Sequence, residues 1–222
     1  MILAVAATEM EAASFRKRMA NGQGKGSWSL LISGVGILET AARLGQYLGR
    51  HHPRVQAVVQ FGIGGAYIGP PEAARQAGIL SLCLAEKEIL GDLGVELGDA
   101  LEYFSKELVA TNSYALNPVL RERAMEILAA AGHTPLVGNF ITVNSASGTW
   151  RRGELLRSHW DGLCENMEGT AAARICAMYD IPMLELRVIS NMVEDRNLQN
   201  WQLDRACEMA GEVAAMLIKE FS

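Results

Sequence analysis

Three polar side chains follow apolar runs that are typical of buried strands, and their types could support catalysis. Glu11 comes after the first run, Glu168 lies in the segment Glu-Asn-Met-Glu-Gly, and Asn191 ends the last run. A carboxylate can take a proton from water or stabilise positive charge, and an amide can both donate and accept hydrogen bonds. Because ligands bind at the carboxyl ends of parallel strands, we expect the three side chains to face one site.

Each of these residues also has a purely structural alternative. Glu11 or Glu168 could stabilise the N-terminus of its own helix through the macrodipole, and Asn191 could be an ordinary turn residue. Their joint position in a frame of glycine turns favours a ligand site.

Two glycine runs follow predicted strands, Ser-Gly-Val-Gly at 33–36 and Gly-Ile-Gly-Gly at 62–65. Glycine lets the backbone approach a ligand closely, although a tight turn explains either run equally well. Neither run has the GxGxxG fingerprint of dinucleotide binding, and the chain contains no GxxxxGK[ST] motif. A nucleotide-dependent oxidoreductase is therefore disfavoured.

Strand-like and helical segments alternate along the whole chain, which predicts an α/β fold with a mostly parallel sheet covered by helices on both faces. No linker rich in Pro, Ser or charge interrupts the pattern, so residues 1–222 are predicted to form one domain. The predicted strands are 2–7, 28–33, 55–61, 79–85, 140–143 and 183–190. The predicted helices are 9–19, 38–50, 118–131, 167–179 and 203–221.

The composition disfavours several classes of partner. The formal net charge is -5 and the 20 Lys and Arg residues are scattered, so nucleic acid is a poor candidate. The four cysteines and four histidines lack the spacing of a metal or redox site, and we expect no metal ion and no cofactor. No apolar run approaches the roughly 20 residues of a membrane span. We expect a cytoplasmic protein without a membrane partner.

Four motifs resemble one known superfamily when they are taken in order: SGVG, FGIGG, ENMEGTAAARIC and RVISN. Together they are similar to the purine nucleoside phosphorylases and nucleosidases, and especially to the methylthioadenosine/adenosylhomocysteine nucleosidases. The resemblance extends from Glu11 to the final helix. It implies a three-layer sandwich with a central, mixed and largely parallel twisted sheet, and a small nucleoside as substrate. It also implies a homo-oligomer, a dimer or higher, in which a neighbouring subunit completes the pocket for the tail of the substrate.

Two details within that superfamily resemble the futalosine hydrolases, which act in an alternative route to menaquinone. The first is Asn-Met-Glu-Gly at 166–169, where the adenine nucleosidases usually have Glu-Met-Glu-Ala. The second is Ser-Asn-Met-Val-Glu-Asp-Arg-Asn at 190–197 followed by Trp201, where the adenine enzymes carry Ser-Asp. The resemblance therefore implies hydrolysis of futalosine to hypoxanthine and dehypoxanthinyl futalosine.

The resemblance also assigns roles to individual residues. Glu11 matches the glutamate that activates water, and Asn191 replaces the aspartate that meets the purine at N7. Met167 and Glu168 match the pair that packs under the ribose and binds its hydroxyls. The segment 144–149 matches the loop that borders the base. The further residues expected to bind substrate are Ser33, Gly64, Gly148, Thr149, Ser190, Arg196 and Trp201.

Several alternatives stay open at this level. An adenine nucleosidase and a nucleoside phosphorylase belong to the same superfamily, and a non-catalytic nucleoside-binding protein is a different class. A phosphorylase needs arginines for phosphate, for which Arg43 and Arg187 are candidates, but Glu11 would repel that anion. For the benzoate-bearing tail of futalosine, we expect Arg196 or another nearby cation to meet the carboxylate, with aromatic surface from Trp201 or Tyr67.

Overall fold

The computed structural model describes residues 1–20, 27–70, 75–98, 100–105, 107–108 and 111–221. The apolar runs of the sequence form the buried strands of one large sheet, as their length and lack of alternation predict. The strands of this sheet are β1 Ile2–Ala6, β2 Trp28–Ile32, β3 Ala57–Tyr67, β4 Leu82–Leu90, β7 Ser113–Ala115, β8 Leu136–Thr142, β9 Gly162–Asn166 and β10 Met183–Val193. A separate two-stranded hairpin consists of β5 Gly94–Leu97 and β6 Ala100–Tyr103.

The strand order of the large sheet is β10-β4-β8-β9-β3-β1-β2, with β7 beside β4 and an additional pairing of β10 with β3. Most neighbours run parallel: β1 with β2 and β3, β3 with β10, and β8 with β4 and β9. The pairs β10–β4, β3–β9 and β4–β7 are antiparallel. The sheet is therefore mixed and largely parallel, as predicted.

Helices cover both faces of the sheet. They are α1 Glu9–Ala20, α2 Ile37–His51, α3 Pro118–Ala130, α4 Trp150–Trp160, α5 Gly169–Met178 and α6 Leu203–Phe221. One apolar core packs α1, α3 and α6 against the sheet, and a second packs α2 and α5 against it. The predicted three-layer α/β class is confirmed. Within the described ranges, none of the helices combines the length and apolar character that a membrane span needs.

The glycine run at 62–65 is a correction to the sequence analysis, which placed it in a turn after a strand. It lies inside β3, which continues to Tyr67. A Cβ at Gly62 would collide with the Glu11 carboxylate and lie 3.0 Å from Arg187 Nη1. The glycine thus makes room for two charged side chains that lie against the strand.

Further boundaries also differ from prediction: β4 is Leu82–Leu90 where 79–85 was predicted, and β8 is Leu136–Thr142 where 140–143 was predicted. Strand β10 continues past 190 to Val193 after a register shift, so Asn191 lies in a strand and not in a turn. Helix α5 begins only at Gly169, because Glu168 has non-helical dihedral angles and is its N-cap. The short strands β5, β6, β7 and β9 and helix α4 were not predicted.

Candidate active site

A cavity of about 210 Å³ opens where β1, β3, β9 and β10 end. The turn after β2, the first turn of α1 and the segment 144–149 complete its walls. Most of the sequence-predicted site residues line this cavity: Glu11, Gly64, Met167, Glu168, Ser190, Asn191 and Trp201. Ser147 of the predicted segment 144–149 and Arg187, which was considered for phosphate, also line the cavity. The lining residues that were not predicted include Thr8, Met10, Val35, Ile63, Glu165 and Asn166.

Glu11 lies in the first turn of α1, and its buried carboxylate receives three hydrogen bonds. Thr8 donates its N–H at 3.0 Å and its hydroxyl at 2.9 Å to Oε2, while the N–H of Ile63 donates to Oε1 at 3.1 Å. The Thr8 hydroxyl in turn accepts from the N–H of Glu11 at 3.2 Å, so the two residues form a capping box. Glu11 therefore stabilises its helix and faces the cavity at the same time.

The pKa of Glu11 lies above the ordinary value for glutamate. Burial is the main cause; the charge of Arg187 opposes the rise and the charge of Glu168 adds to it. A carboxylate with a raised pKa binds a proton more strongly, which is what a base that accepts a proton from water requires.

Glu168 is the N-cap residue of α5, but its side chain makes no capping hydrogen bond to this helix. The capping oxygen is Asn166 Oδ1, which accepts from the N–H groups of Glu168 at 2.9 Å and Gly169 at 2.7 Å. The Glu168 carboxylate instead accepts from the N–H of Gly36 at 3.0 Å and from Arg187 Nη1 at 3.2 Å. Gly36 has a φ of 91°, a conformation that favours glycine.

Arg187 is fully buried behind the cavity wall and is surrounded by acceptors. Its Nε donates to Glu185 at 2.9 Å, its Nη1 donates to Glu168 and to the carbonyl of Ile63, and its Nη2 lies 3.4 Å from Asn166 Oδ1. Arg43, the other arginine considered for phosphate, is exposed on α2 and pairs with Glu39 at 2.9 Å. Neither arginine presents a free guanidinium to the cavity.

The Asn191 amide is held by its own strand. Its Oδ1 accepts from the Ser190 hydroxyl at 2.8 Å and its Nδ2 donates to the carbonyl of Met192 at 3.2 Å. A Cβ at Gly65 would lie 3.2 Å from Asn191 Nδ2, so this glycine gives the amide space at the cavity wall. One donor and one acceptor are thereby held in a fixed orientation.

Glu165 anchors the segment 144–149 to the sheet. Its carboxyl accepts the N–H of Ser147 at 2.8 Å and the Ser147 hydroxyl at 2.7 Å. Burial raises the pKa of Glu165, and the two bonds from Ser147 oppose that rise. The predicted segment 144–149 thus borders the cavity through Ala146 and Ser147, next to Val143.

Four predicted binding residues do not line the cavity. Ser33 is fully buried and donates to the carbonyl of Gly34 at 3.1 Å. Thr149 caps α4 by accepting from the N–H of Arg152, and the carbonyl of Gly148 accepts from the N–H of Arg196. The Arg196 side chain is exposed and lies over the Trp201 ring, 5.9 Å from its centroid.

Tyr67, considered as aromatic surface for the tail, also lies outside the cavity lining. Its ring is buried and packs in a cluster with Ile141, Leu156 and Val193. The expectation that Tyr67 offers a surface to substrate is therefore wrong.

Some of the additional residues carried a readable signal. Glu165 and Asn166 stand directly before Met167 and Glu168 in the quoted motif, so their neighbourhood was visible in the sequence. Glu88 carried none, because it lies beyond the predicted strand 79–85. Glu185 lies inside the predicted strand 183–190, but nothing in the sequence identifies its partners. Across the described ranges, no group of three or more His, Cys, Asp or Glu side chains is arranged to hold a metal ion.

The fold and the motifs agree with a match to the family model of the phosphorylase superfamily, which covers residues 18–222. The chain belongs to the phosphorylase superfamily. The futalosine hydrolase of Streptomyces coelicolor is 32% identical over 201 residues, which are 86% of this chain and 80% of that protein. The resemblance inferred from the four motifs is confirmed.

Solved structures share the whole fold. A futalosine hydrolase mutant of Helicobacter pylori has a TM-score of 0.84, with 99% of this chain and 98% of that chain covered. The 5'-methylthioadenosine/S-adenosyl homocysteine nucleosidase of the same organism has a TM-score of 0.82, with 99% and 97% covered. Both are 16% identical to this chain, so they establish the fold alone.

Arg187→Met should lower the free energy of unfolding by about 3–5 kcal/mol near neutral pH, because it leaves buried carboxylates without their cation. Burial already raises the pKa of Glu11 and Glu185, and loss of the Arg187 charge would raise the pKa of both carboxyls further. The loss should therefore grow as pH rises and shrink as pH falls. Urea unfolding at pH 5.5 and pH 8 measures both effects.

The control for this substitution is Arg43→Met, which removes an exposed ion pair and should cost no more than about 1 kcal/mol at either pH. If Arg187→Met cost no more than this control, the buried arginine would not be the main compensating charge of the site.

Proposed function

We propose that the protein hydrolyses the N-glycosidic bond of futalosine, releasing hypoxanthine and dehypoxanthinyl futalosine for menaquinone biosynthesis. The observation that carries this proposal is the pair of buried glutamates, Glu11 and Glu168, that line one cavity in a chain 32% identical to a futalosine hydrolase. We expect the enzyme to act in the cytoplasm and to need no metal ion or cofactor.

Cleavage of an N-glycosidic bond builds positive charge on the ribose and negative charge on the departing purine. Rate is gained only from interactions that strengthen as these charges appear. Glu168 would accept hydrogen bonds from the ribose hydroxyls and stabilise the cationic sugar, with Met167 packed under the ring. The fixed bonds from Gly36 and Arg187 hold the Glu168 carboxylate in place before substrate binds.

Glu11 would take a proton from the water that attacks the anomeric carbon. Its three hydrogen bonds orient the carboxylate, and its raised pKa makes it a stronger base than an exposed glutamate. The match to the family model begins at residue 18 and does not include Glu11. The role of Glu11 is therefore supported by the geometry of the site and by the sequence resemblance.

Water is a better nucleophile for this site than phosphate. Phosphate would need a free cation near the anomeric carbon. The guanidinium of Arg187 is instead engaged by Glu168 and Glu185, and Glu11 would add repulsion. A nucleoside phosphorylase is therefore the weaker alternative.

Asn191 supports a 6-oxopurine base. An amide can donate its NH₂ to O6 and accept from N7–H through its oxygen. An ionised aspartate at this position would repel O6, whereas a protonated one would suit adenine. The amide does not exclude adenine, so a methylthioadenosine/adenosylhomocysteine nucleosidase remains the nearest alternative.

Trp201 and Arg196 are the best placed residues for the tail of futalosine. Trp201 lines the cavity, and the exposed Arg196 guanidinium lies over its ring. A tail that leaves the cavity past Trp201 would bring its benzoate carboxylate to Arg196, where a charge-assisted hydrogen bond can form.

A homo-oligomer is supported by apolar side chains beside the cavity. Val35 and Met10 line the cavity and are about half exposed, and Leu38, in the first turn of α2, is 80% exposed. A second copy of the chain that covered these residues would narrow the cavity opening and bury apolar surface. Sedimentation equilibrium, which gives the assembled mass, distinguishes this arrangement from a monomer.

A non-catalytic nucleoside-binding protein is the alternative from a different class. It has no need for a buried carboxylate with a raised pKa, so Glu11 disfavours it.

Glu11→Gln should lower kcat for futalosine about a hundredfold to ten-thousandfold, because the amide cannot accept the proton of water. Chromatography of the products, with futalosine, inosine, methylthioadenosine and adenosylhomocysteine and with or without phosphate, measures this. Since only the ionised carboxylate is the base, kcat/KM of the parent enzyme should fall at acidic pH, with an apparent pKa above the ordinary glutamate value of 4.5.

Glu9→Gln, in the same turn but exposed, is the matched control and should retain activity. Release of hypoxanthine only when phosphate is present would contradict the role of Glu11. Tight binding without release of any base would favour the binding protein.

Asn191→Asp should shift the preference from futalosine towards its 6-amino analogue by about tenfold or more, since a protonated aspartate suits adenine and an ionised one repels O6. The two substrates differ only in the base, so the ratio of their kcat/KM values corrects for any general loss of activity. An unchanged ratio would show that Asn191 does not contact the six-position of the base.

Arg196→Ala should raise KM for futalosine about tenfold and leave KM for a methyl ester of its benzoate unchanged, because the ester cannot form the ion pair. Arg205→Ala, another exposed arginine, is the control. Equal effects of Arg196→Ala on acid and ester would exclude a salt bridge to the tail.

A further inference from the structure

Two fully buried glutamates outside the cavity, Glu88 on β4 and Glu185 on β10, have no part in the chemistry described so far. Their carboxyl groups lie close together, and each shifts the pKa of the other. A Cβ at Gly169 would collide with both of them, so the pair lies directly under the first residue of α5.

The proximity of two buried carboxyl groups favours a proton on one of them. Two adjacent carboxylates cannot both ionise in a water-free interior. Burial raises the pKa of Glu88 well above its ordinary value, and the charge of Glu185 adds to the rise. Glu185 Oε2 has no donor among the described protein groups, and a proton carried by Glu88 would satisfy it.

Two hydrogen-bonded paths lead from this pair to Glu168. In the first, Asn166 Nδ2 donates to Glu88 Oε1 at 2.7 Å, and Asn166 Oδ1 accepts from the N–H of Glu168 at 2.9 Å. In the second, Arg187 Nε donates to Glu185 at 2.9 Å and Arg187 Nη1 to the Glu168 carboxylate at 3.2 Å. The first path holds the backbone of Glu168, and the second holds its carboxylate.

The two threonines around Glu88 complete its hydrogen bonding. Thr142 Oγ1 lies 2.6 Å and Thr170 Oγ1 3.2 Å from Glu88 Oε2. The N–H of Thr170, in the first turn of α5, donates to the Thr142 hydroxyl at 2.8 Å. Hydrogen bonds through Thr142 and Thr170 thus connect the first turn of α5 to Glu88.

We propose that the Glu88–Glu185 pair is a positioning element that holds Glu168 in the orientation needed to bind the ribose hydroxyls, acting through Asn166 and Arg187. This inference rests on the proposed function, because it assigns the ribose to Glu168.

The pair also accounts for the unusual motif Asn-Met-Glu-Gly at 166–169. An alanine in place of Gly169 would place its Cβ against both carboxyls. A glutamate in place of Asn166 would bring a further carboxylate to Glu88 and could not donate to it when ionised. Glu88 therefore requires a donor at 166 and a residue without a Cβ at 169.

The test compares futalosine with its synthetic 2'-deoxy analogue in the full-length enzyme. Glu88→Ala should lower kcat/KM for futalosine by about tenfold to a hundredfold, the scale of a misplaced binding group. For the 2'-deoxy analogue the loss should be several-fold smaller, because it lacks a hydroxyl that Glu168 would bind. Glu88→Gln, which keeps a neutral hydrogen-bonding group, should restore most of the preference for the ribose.

Leu128→Ala, a buried substitution in α3 away from the cavity lining, is the control for a general loss of stability and should affect both substrates equally. If Glu88→Ala also affected both equally, the pair would be structural only and the inference would be wrong.

A parent enzyme that did not cleave futalosine would refute the proposed function instead. Calorimetry would still test the inference, because it gives the affinities for futalosine and for the 2'-deoxy analogue. The ratio of these two affinities should be smaller in Glu88→Ala than in the parent enzyme.

Discussion

The structure of the site depends on one buried cation. Arg187 is enclosed by Glu185, Glu168 and the carbonyl of Ile63, and its charge also acts on Glu11. A guanidinium in the interior is tolerated only with several acceptors, and a buried carboxylate only with a cation or donors. Each charged group therefore requires the others. Together they allow the carboxyl groups of Glu11 and Glu168 to line the same cavity while both stay largely buried.

Glycine residues provide the space for these buried charged side chains, and backbone N–H groups fix the orientation of the carboxylates. Gly62 leaves room for the side chains of Glu11 and Arg187 against β3, and Gly169 leaves room for the carboxyls beneath α5. The N–H groups of Gly36 and Ile63 then fix the two carboxylates that face the cavity. Because these donors belong to the sheet and its turns, the site is organised before any ligand binds.

Much of the fold and part of the site could be predicted from the sequence. The predicted helices and strands β1 and β2 were located to within about two residues, whereas β3, β4 and β8 extend well beyond their predicted bounds. The superfamily resemblance is confirmed by the family model. Strand β9 and helix α4 were missed, because a short strand that contains Glu165 and a helix with three arginines lack a clear apolar period. The glycines of β3 were assigned to a turn, since local rules do not reveal a close side chain from another strand.

The sequence by itself determined the α/β class, the superfamily and the presence of Glu11, Glu168 and Asn191 at strand ends, because hydrophobic periodicity and motif spacing are local properties of the chain. Only the tertiary structure decided that Glu168 pairs with Arg187 instead of capping its helix, and that Glu88 and Glu185 meet beneath it. These contacts join residues far apart in the chain, and they are set by the pairing of β10 with β3 and β4. Buried charges are compensated in three dimensions, and no local pattern records which partner compensates them.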